Sequence, residues 1–92
     1  MARWVMAEIT SRLQRRIDLD FPDDAEAVAQ LVSGAAEHER VQAAVVFWAK
    51  GDRNRLDNAL AVAGKDWRDA LVRAGLENDD WRKRLDVELG PS

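Results

Sequence analysis

The 92-residue sequence contains no cysteine and no tyrosine, one histidine, two prolines and five glycines. Without cysteine there can be no disulfide framework, no thiolate nucleophile and no cysteine-ligated zinc. One histidine leaves no His-based ligand set, so no metal or other cofactor is expected. The hydroxyls are few (Thr10, Ser11, Ser33, Ser92) and lie in no nucleophile motif. Long apolar runs are missing too. The longest, Ala43 to Ala49, falls far short of the roughly 20 residues that span a bilayer. Met1-Ala2-Arg3-Trp4 opens onto a charged amphipathic stretch rather than an apolar signal core. No membrane partner is expected, and the address is cytoplasmic by default. Strand-type alternation is also missing over any four residues.

What remains is a helix-forming composition. Hydrophobic residues make up 47% of the chain, enough for one core over residues 1–92. Alanine is abundant, and it ranks with leucine, arginine and glutamate among the strong helix formers. The net charge of −3 is unevenly spread: residues 1–46 carry five basic and eight acidic side chains, residues 47–92 nine of each. Such a balance argues against a general polyanion binder, whose footprint is normally a basic excess.

Apolar spacing predicts an all-α bundle of five or six short helices. Met6, Ile9, Leu13 and Ile17 mark the first over residues 3–19, with Glu8, Arg12, Arg15 and Arg16 among its polar positions. Phe21-Pro22 ends it, because the residue before proline is driven out of the α region. Asp23 and Glu26 resemble a capping box for a second helix, whose face is Ala25, Val28, Leu31 and Val32 and whose stop is Gly34. The third, residues 37–50, is apolar around most of its circumference and should be central, with Trp48 in the core. Gly51 fits the left-handed C′ position and Asp52 the next cap. Leu56, Ala59, Leu60 and Ala63 follow, then Gly64 as a stop and Asp66 as a start. Trp67, Ala70, Leu71 and Ala74 form a fifth stripe, closed by a Schellman turn at Gly75 with Leu76 packing back on Leu71. Asn78 or Asp79 opens the last helix, which carries Trp81, Leu85 and Leu89 and ends at Gly90-Pro91. The pairs Asp69–Arg73, Asp79–Lys83, Asp80–Arg84 and Arg84–Glu88 stand at i,i+4 on exposed faces.

Two segments share D-W-R-x-x-L fourteen residues apart: Asp66-Trp67-Arg68-Asp69-Ala70-Leu71 and Asp80-Trp81-Arg82-Lys83-Arg84-Leu85. The spacing is too short for a helical-hairpin repeat of about 34 residues. Two helix starts are built alike: an acid near the cap, a tryptophan over the first turn, a leucine in the core. Residues 66–76, together with Asp80-Trp81 and Leu85-Asp86-Val87-Glu88-Leu89-Gly90, resemble the C-terminal segment of small bacterial helical proteins of unassigned activity. That resemblance, confined to the C-terminal third, implies a self-contained helical fold and assigns no residue a role.

Candidate chemistry is sparse. His38, between Glu37 and Glu39, has no partner in sequence to make it a general base and reads as a solvated residue at a helix start. The acids Asp18, Asp20, Asp23 and Asp24, and again Glu77, Asp79 and Asp80, lack the calcium-loop pattern and fit the positive ends of helix dipoles. Catalysis is therefore not expected. Residues 52–76 have the outline of a helix-turn-helix, which makes a small DNA-binding regulator the alternative function. Against it, Lys65 follows the turn glycine and Asp66 and Asp69 would repel phosphate. The runs Arg12-Arg15-Arg16, Lys50-Arg53-Arg55 and Arg82-Lys83-Arg84 are interleaved with acids and read as solvated faces. Four tryptophans are the main departure from average composition. Tryptophan is enriched where interfaces concentrate their energy, so Trp4, Trp67, Arg68, Trp81 and Arg82 are the candidate interaction residues. The expected function is a non-enzymatic interaction or scaffolding module, its partner another protein or a second copy of itself.

Overall fold

The first described helix begins where a hydroxyl is available to cap it. In the computed structural model, which describes residues 9–36 and 38–90, the Thr10 hydroxyl accepts from the Leu13 amide and α1 runs Ser11–Asp20. The helix thus starts later than the apolar spacing suggests; Trp4 and Met6 lie outside the described residues. The other elements are α2 (Ala25–Ala35), α3 (Glu39–Ala49), α4 (Arg53–Lys65), α5 (Trp67–Ala74) and α6 (Trp81–Leu89). The fold is all-α, six helices with no strand among the described residues.

Caps explain where the expected boundaries hold and where they move. Asp52 accepts from the Asn54 and Arg55 amides, and Asp66 from Arg68, so α4 and α5 start as the acids predict. The Gly75 amide donates to Val72 and the Leu76 amide to Leu71, the bonding of a Schellman turn, with Gly75 at φ 76°. Asp23 is not the cap of α2; Asp24 occupies that position and makes no side-chain cap bond. Nor do Gly34 and Gly64 stop their helices, which each run one residue further. A lone glycine weakens a helix by about 1 kcal/mol but does not forbid it.

Helix α3 touches every other helix, as its apolar circumference requires. Val41, Ala43, Ala44, Val45, Val46 and Ala49 are buried, and the alanines let neighbouring backbones approach closely. Around them pack Leu13 and Ile17 of α1, Val28 and Val32 of α2, Leu56 of α4, Leu71 of α5 and Leu85 of α6. Gln42, fully buried, donates from Nε2 to the Ala36 carbonyl at 2.9 Å. The expectation that Trp48 fills the core needs correction. Trp48 and Phe47 are only partly buried, because small residues already occupy the middle of the bundle and the rings emerge at the C-terminal end of α3. Leu31 is likewise half exposed rather than core.

Arg12, expected on a solvated face, is instead 9% exposed. Its guanidinium donates from Nε and Nη2 to the two oxygens of Glu39 at 2.9 and 2.7 Å. Nη1 donates to Asp86 at 2.6 Å and to the Gly90 carbonyl at 3.0 Å. One side chain thereby ties α1 to α3 and to both the body and the C-terminal end of α6. Periodicity puts Arg12 beside Leu13 at the margin of the apolar stripe, and a planar five-donor fork can use that position.

Candidate functional site

Two concavities lie near opposite ends of α3. At its N-terminal end, His38, Glu39, Arg40 and Val41 form a groove with Trp67 of α5 and Trp81 and Arg82 of α6, about 540 Å³ in volume. Trp67 is 49% exposed and carries the Arg68 guanidinium 5.5 Å from its ring centre. The Trp81 ring carries two guanidinium groups, Arg82 at 4.4 Å and Arg40 at 4.9 Å, and Arg40 also donates to the Leu76 carbonyl at 2.8 Å. Three helices begin here. Neither His38 nor Asp80 caps its helix through its side chain, so the dipoles of α3 and α6 face the groove without a local carboxylate bonded to their first turns. The only acid in the lining, Glu39, is bonded to Arg12. That bond, opposed by burial and aided by the Thr10 hydroxyl, holds its carboxyl below the usual range. Glu39, opposed by burial and aided by Asp86, raises Arg12 still further above physiological pH, so both groups of the pair stay charged.

At the other end of α3, a cleft of about 580 Å³ is lined by Arg16, Lys50, Arg55, Arg73 and Arg84, with Phe47 and Trp48 as its aromatic wall and Glu88 as its one carboxylate. Each cation comes from a different element: α1, the C-cap of α3, α4, α5 and α6. Arg16 lies 5.0 Å over Phe47 and Arg73 4.9 Å over Trp48. Arg55 donates from Nε to the Trp48 carbonyl at 3.2 Å, which leaves both its Nη groups unengaged. Arg16 pairs with Asp20 at 3.0 Å and more loosely with Glu88 at 3.7 Å; Arg73 pairs with Asp69 at 3.3 Å. Lys50 and Arg84 form no ion pair with any described residue. Of the four i,i+4 pairs that spacing suggests, only Asp69–Arg73 forms. Arg84 turns from Asp80 and Glu88 toward Gly75, where a Cβ would lie 3.5 Å from its guanidinium.

Lys50 is held in a costly conformation. It is the only described non-glycine residue at positive φ, 50°, and with Gly51 at 79° it makes a tight left-handed exit from α3. A side chain at Gly51 is disfavoured twice, by its positive φ and by a Cβ that would stand a tight 3.1 Å from the Asp20 carbonyl oxygen. A lysine at the position before it is not required by that approach.

The structure thus gathers Trp67, Trp81 and Arg82 around one groove, sets Arg68 against Trp67, and adds His38, which the sequence reads as a solvated helix start, and Arg40, which no sequence signal singles out. Trp4 lies outside the described residues. The cleft was not legible: Arg16, Lys50, Arg55 and Arg84 come from three basic runs assigned to separate solvated faces, and Arg73 from a helix-surface pair. Their separation in sequence offers no local pattern that would join them. Residues 52–76 form two helices, α4 and α5, that meet at Asp66 alone, shorter than the three- or four-residue turn of a helix-turn-helix. Among the described residues no group of three or more His, Asp or Glu side chains is placed to hold a metal ion, and no helix is long and apolar enough to cross a membrane. No protein-family model, curated protein or solved structure matches this chain.

Proposed function

We propose that this protein is a non-catalytic interaction module of the cytoplasm that docks an acidic, apolar-sided segment of a partner protein in the groove between Trp67 and Trp81. The observation that carries the reading is the half-exposed Trp67 ring facing the same groove as Trp81, with guanidinium groups on both rings. A broad apolar floor with charged rims suits a short amphipathic helix laid into a groove. The rim selects its sign. Arg40, Arg68 and Arg82 are cationic, three helix N-termini converge there, and Glu39 is already committed to Arg12. An acidic partner segment therefore complements the groove, and a basic one is opposed by it.

The test uses two synthetic amphipathic helical peptides with the same leucine face, one with glutamate and one with lysine on its polar side. Titration followed by indole N–H NMR signals should move the Trp67 and Trp81 resonances with the acidic peptide alone. Trp67→Ala and Arg82→Glu should abolish that response while circular dichroism stays helical. Equal responses to both peptides, or shifts that survive Trp67→Ala, would remove the groove as the docking surface. Sedimentation of the free protein shows whether a second copy fills this role: a dimer dissociated by Trp67→Ala would replace the acidic partner with self-association.

A further inference from the structure

We propose that the cationic cleft at the C-terminal end of α3 is a nucleotide site, taking a phosphate chain on Lys50, Arg55 and Arg84 and a flat base beside Trp48 and Arg73. It is a separate surface from the Trp67–Trp81 groove and stands or falls without it. The first argument is charge. A protein with net charge −3 places five cations and one carboxylate around a single cleft, and only Arg16 and Arg73 have carboxylate partners, Asp20 and Asp69, on their own helices. Like charges held together raise the energy of the folded state unless an anion joins them. Helix dipoles account for part of the arrangement, since Lys50 and Arg73 sit at the C-terminal ends of α3 and α5, where cations are favoured. They do not account for Arg55 in the first turn of α4, or for Arg16 and Arg84 in the middle of their helices.

The second argument is shape and chemistry. The volume, about 580 Å³, lies within the range of small-ligand sites. Lys50 and Arg84 form no ion pair with a described residue, and Arg55 is anchored through Nε to the Trp48 carbonyl with no described residue on its outer nitrogens. Charged donors in this state suit phosphate oxygens, which a guanidinium can grip with two parallel bonds. The Arg73 guanidinium lies 4.9 Å over the Trp48 ring, so a base would stack on the outer side of this cationic plane with the indole beneath it. Glu88 would repel phosphate and suits a sugar hydroxyl or a base amino group as an acceptor. The third argument is the left-handed Lys50. Backbone strain of this sort persists where the surroundings impose it and gathers at ligand sites.

The shared chemistry, phosphate plus base, is found in a free nucleotide and along a single strand, so the experiment has an arm for each. Isothermal titration of the full chain with ATP, inorganic triphosphate, a ten-residue oligothymidylate and polyglutamate covers them. ATP should bind about tenfold or more tighter than triphosphate, the usual return on one stacked base. Lys50→Ala and Arg84→Ala should each weaken ATP by about tenfold with helical content unchanged, the size expected for one charge-assisted contact. Arg82→Ala, on the groove, should leave it unaltered. ATP tighter than the oligonucleotide identifies the free nucleotide as occupant; the oligonucleotide tighter identifies the strand. Triphosphate or polyglutamate binding as well as ATP, binding insensitive to both Lys50→Ala and Arg84→Ala, or no heat with any nucleotide would overturn the proposal.

Discussion

Arg12 and Arg16 are one helical turn apart on α1, and they are used in opposite ways. Arg12 turns inward, where Glu39, Asp86 and the Gly90 carbonyl consume all three of its nitrogens. Arg16 pairs with Asp20 on its own helix and turns to the cleft, where it joins Arg73, paired with Asp69, and Lys50, Arg55 and Arg84, which form no ion pair with any described residue. The first arrangement is a closed network: one guanidinium is shared by two carboxylates and a carbonyl, and none of its nitrogens is left for a ligand. The second is open, with more positive charge than the fold neutralises. Closed networks contribute rigidity and are costly to break, because removing one partner strands the other in a poor solvent. Open ones contribute little to folding and leave the charges available to something outside the chain.

Breaking the closed network should give the largest effect. Arg12→Ala leaves Glu39 without its counterion, a loss of about 3–5 kcal/mol for a buried pair. That is a large fraction of the roughly 5–15 kcal/mol that holds a domain folded. Urea unfolding checks it, and Arg12→Met combined with Glu39→Leu should recover most of the loss, because the one carboxylate left without its partner, Asp86, is solvent-exposed. Next in size is Trp48→Ala. Because Trp48 is partly buried and emerges beside the cleft, its truncation should cost about 1–3 kcal/mol, less than the 3–5 kcal/mol of a fully buried ring. Acid should separate the two regions further. The bond from Arg12 holds the Glu39 carboxyl below its ordinary value in the folded state, so its contribution is complete above the ordinary carboxylate range and is lost as pH falls through the folded value. Stability measured from pH 6 down to 3 should fall across that window, and Glu39→Gln should remove its share of the slope. Lys50→Gly is expected to do the reverse of a loss. Releasing a left-handed non-glycine residue should stabilise the fold by on the order of 1 kcal/mol, visible as a higher melting temperature. The smallest effect belongs to Arg68→Ala, an exposed side chain lying over an exposed ring, which should stay within about 0.5 kcal/mol of wild type.

The helices were readable because their signals are local. Leu13 and Ile17, Leu71 and Leu85 are buried where a 3.6-residue period puts them, and Asp52, Asp66 and Gly75 make the caps and the turn their chemistry favours. Trp48 was misplaced because a helix apolar around its circumference reveals that it is central but not where its ends come out. The two D-W-R starts read as equivalent in sequence, yet the Asp66 side chain caps α5 and that of Asp80 does not cap α6, and Trp67 is more exposed than Trp81. Trp81 packs against the core and lies under Arg40 of α3, and Trp67 does neither. Arg12, Arg16 and Arg84 could not be told apart in sequence at all. Each is an arginine on the polar side of an amphipathic helix, and only the packing of α1, α3, α5 and α6 decides which is enclosed and which faces the cleft.

The contrast between the closed and open networks is tested most directly by unfolding Arg12→Ala and Arg84→Ala side by side in urea, without ligand, at low ionic strength. The account predicts an Arg12→Ala midpoint far below wild type and an Arg84→Ala midpoint equal to or above it, because deleting one of five crowded cations relieves repulsion. An Arg84→Ala loss as large as that of Arg12→Ala, or an Arg12→Ala midpoint matching wild type, would contradict it.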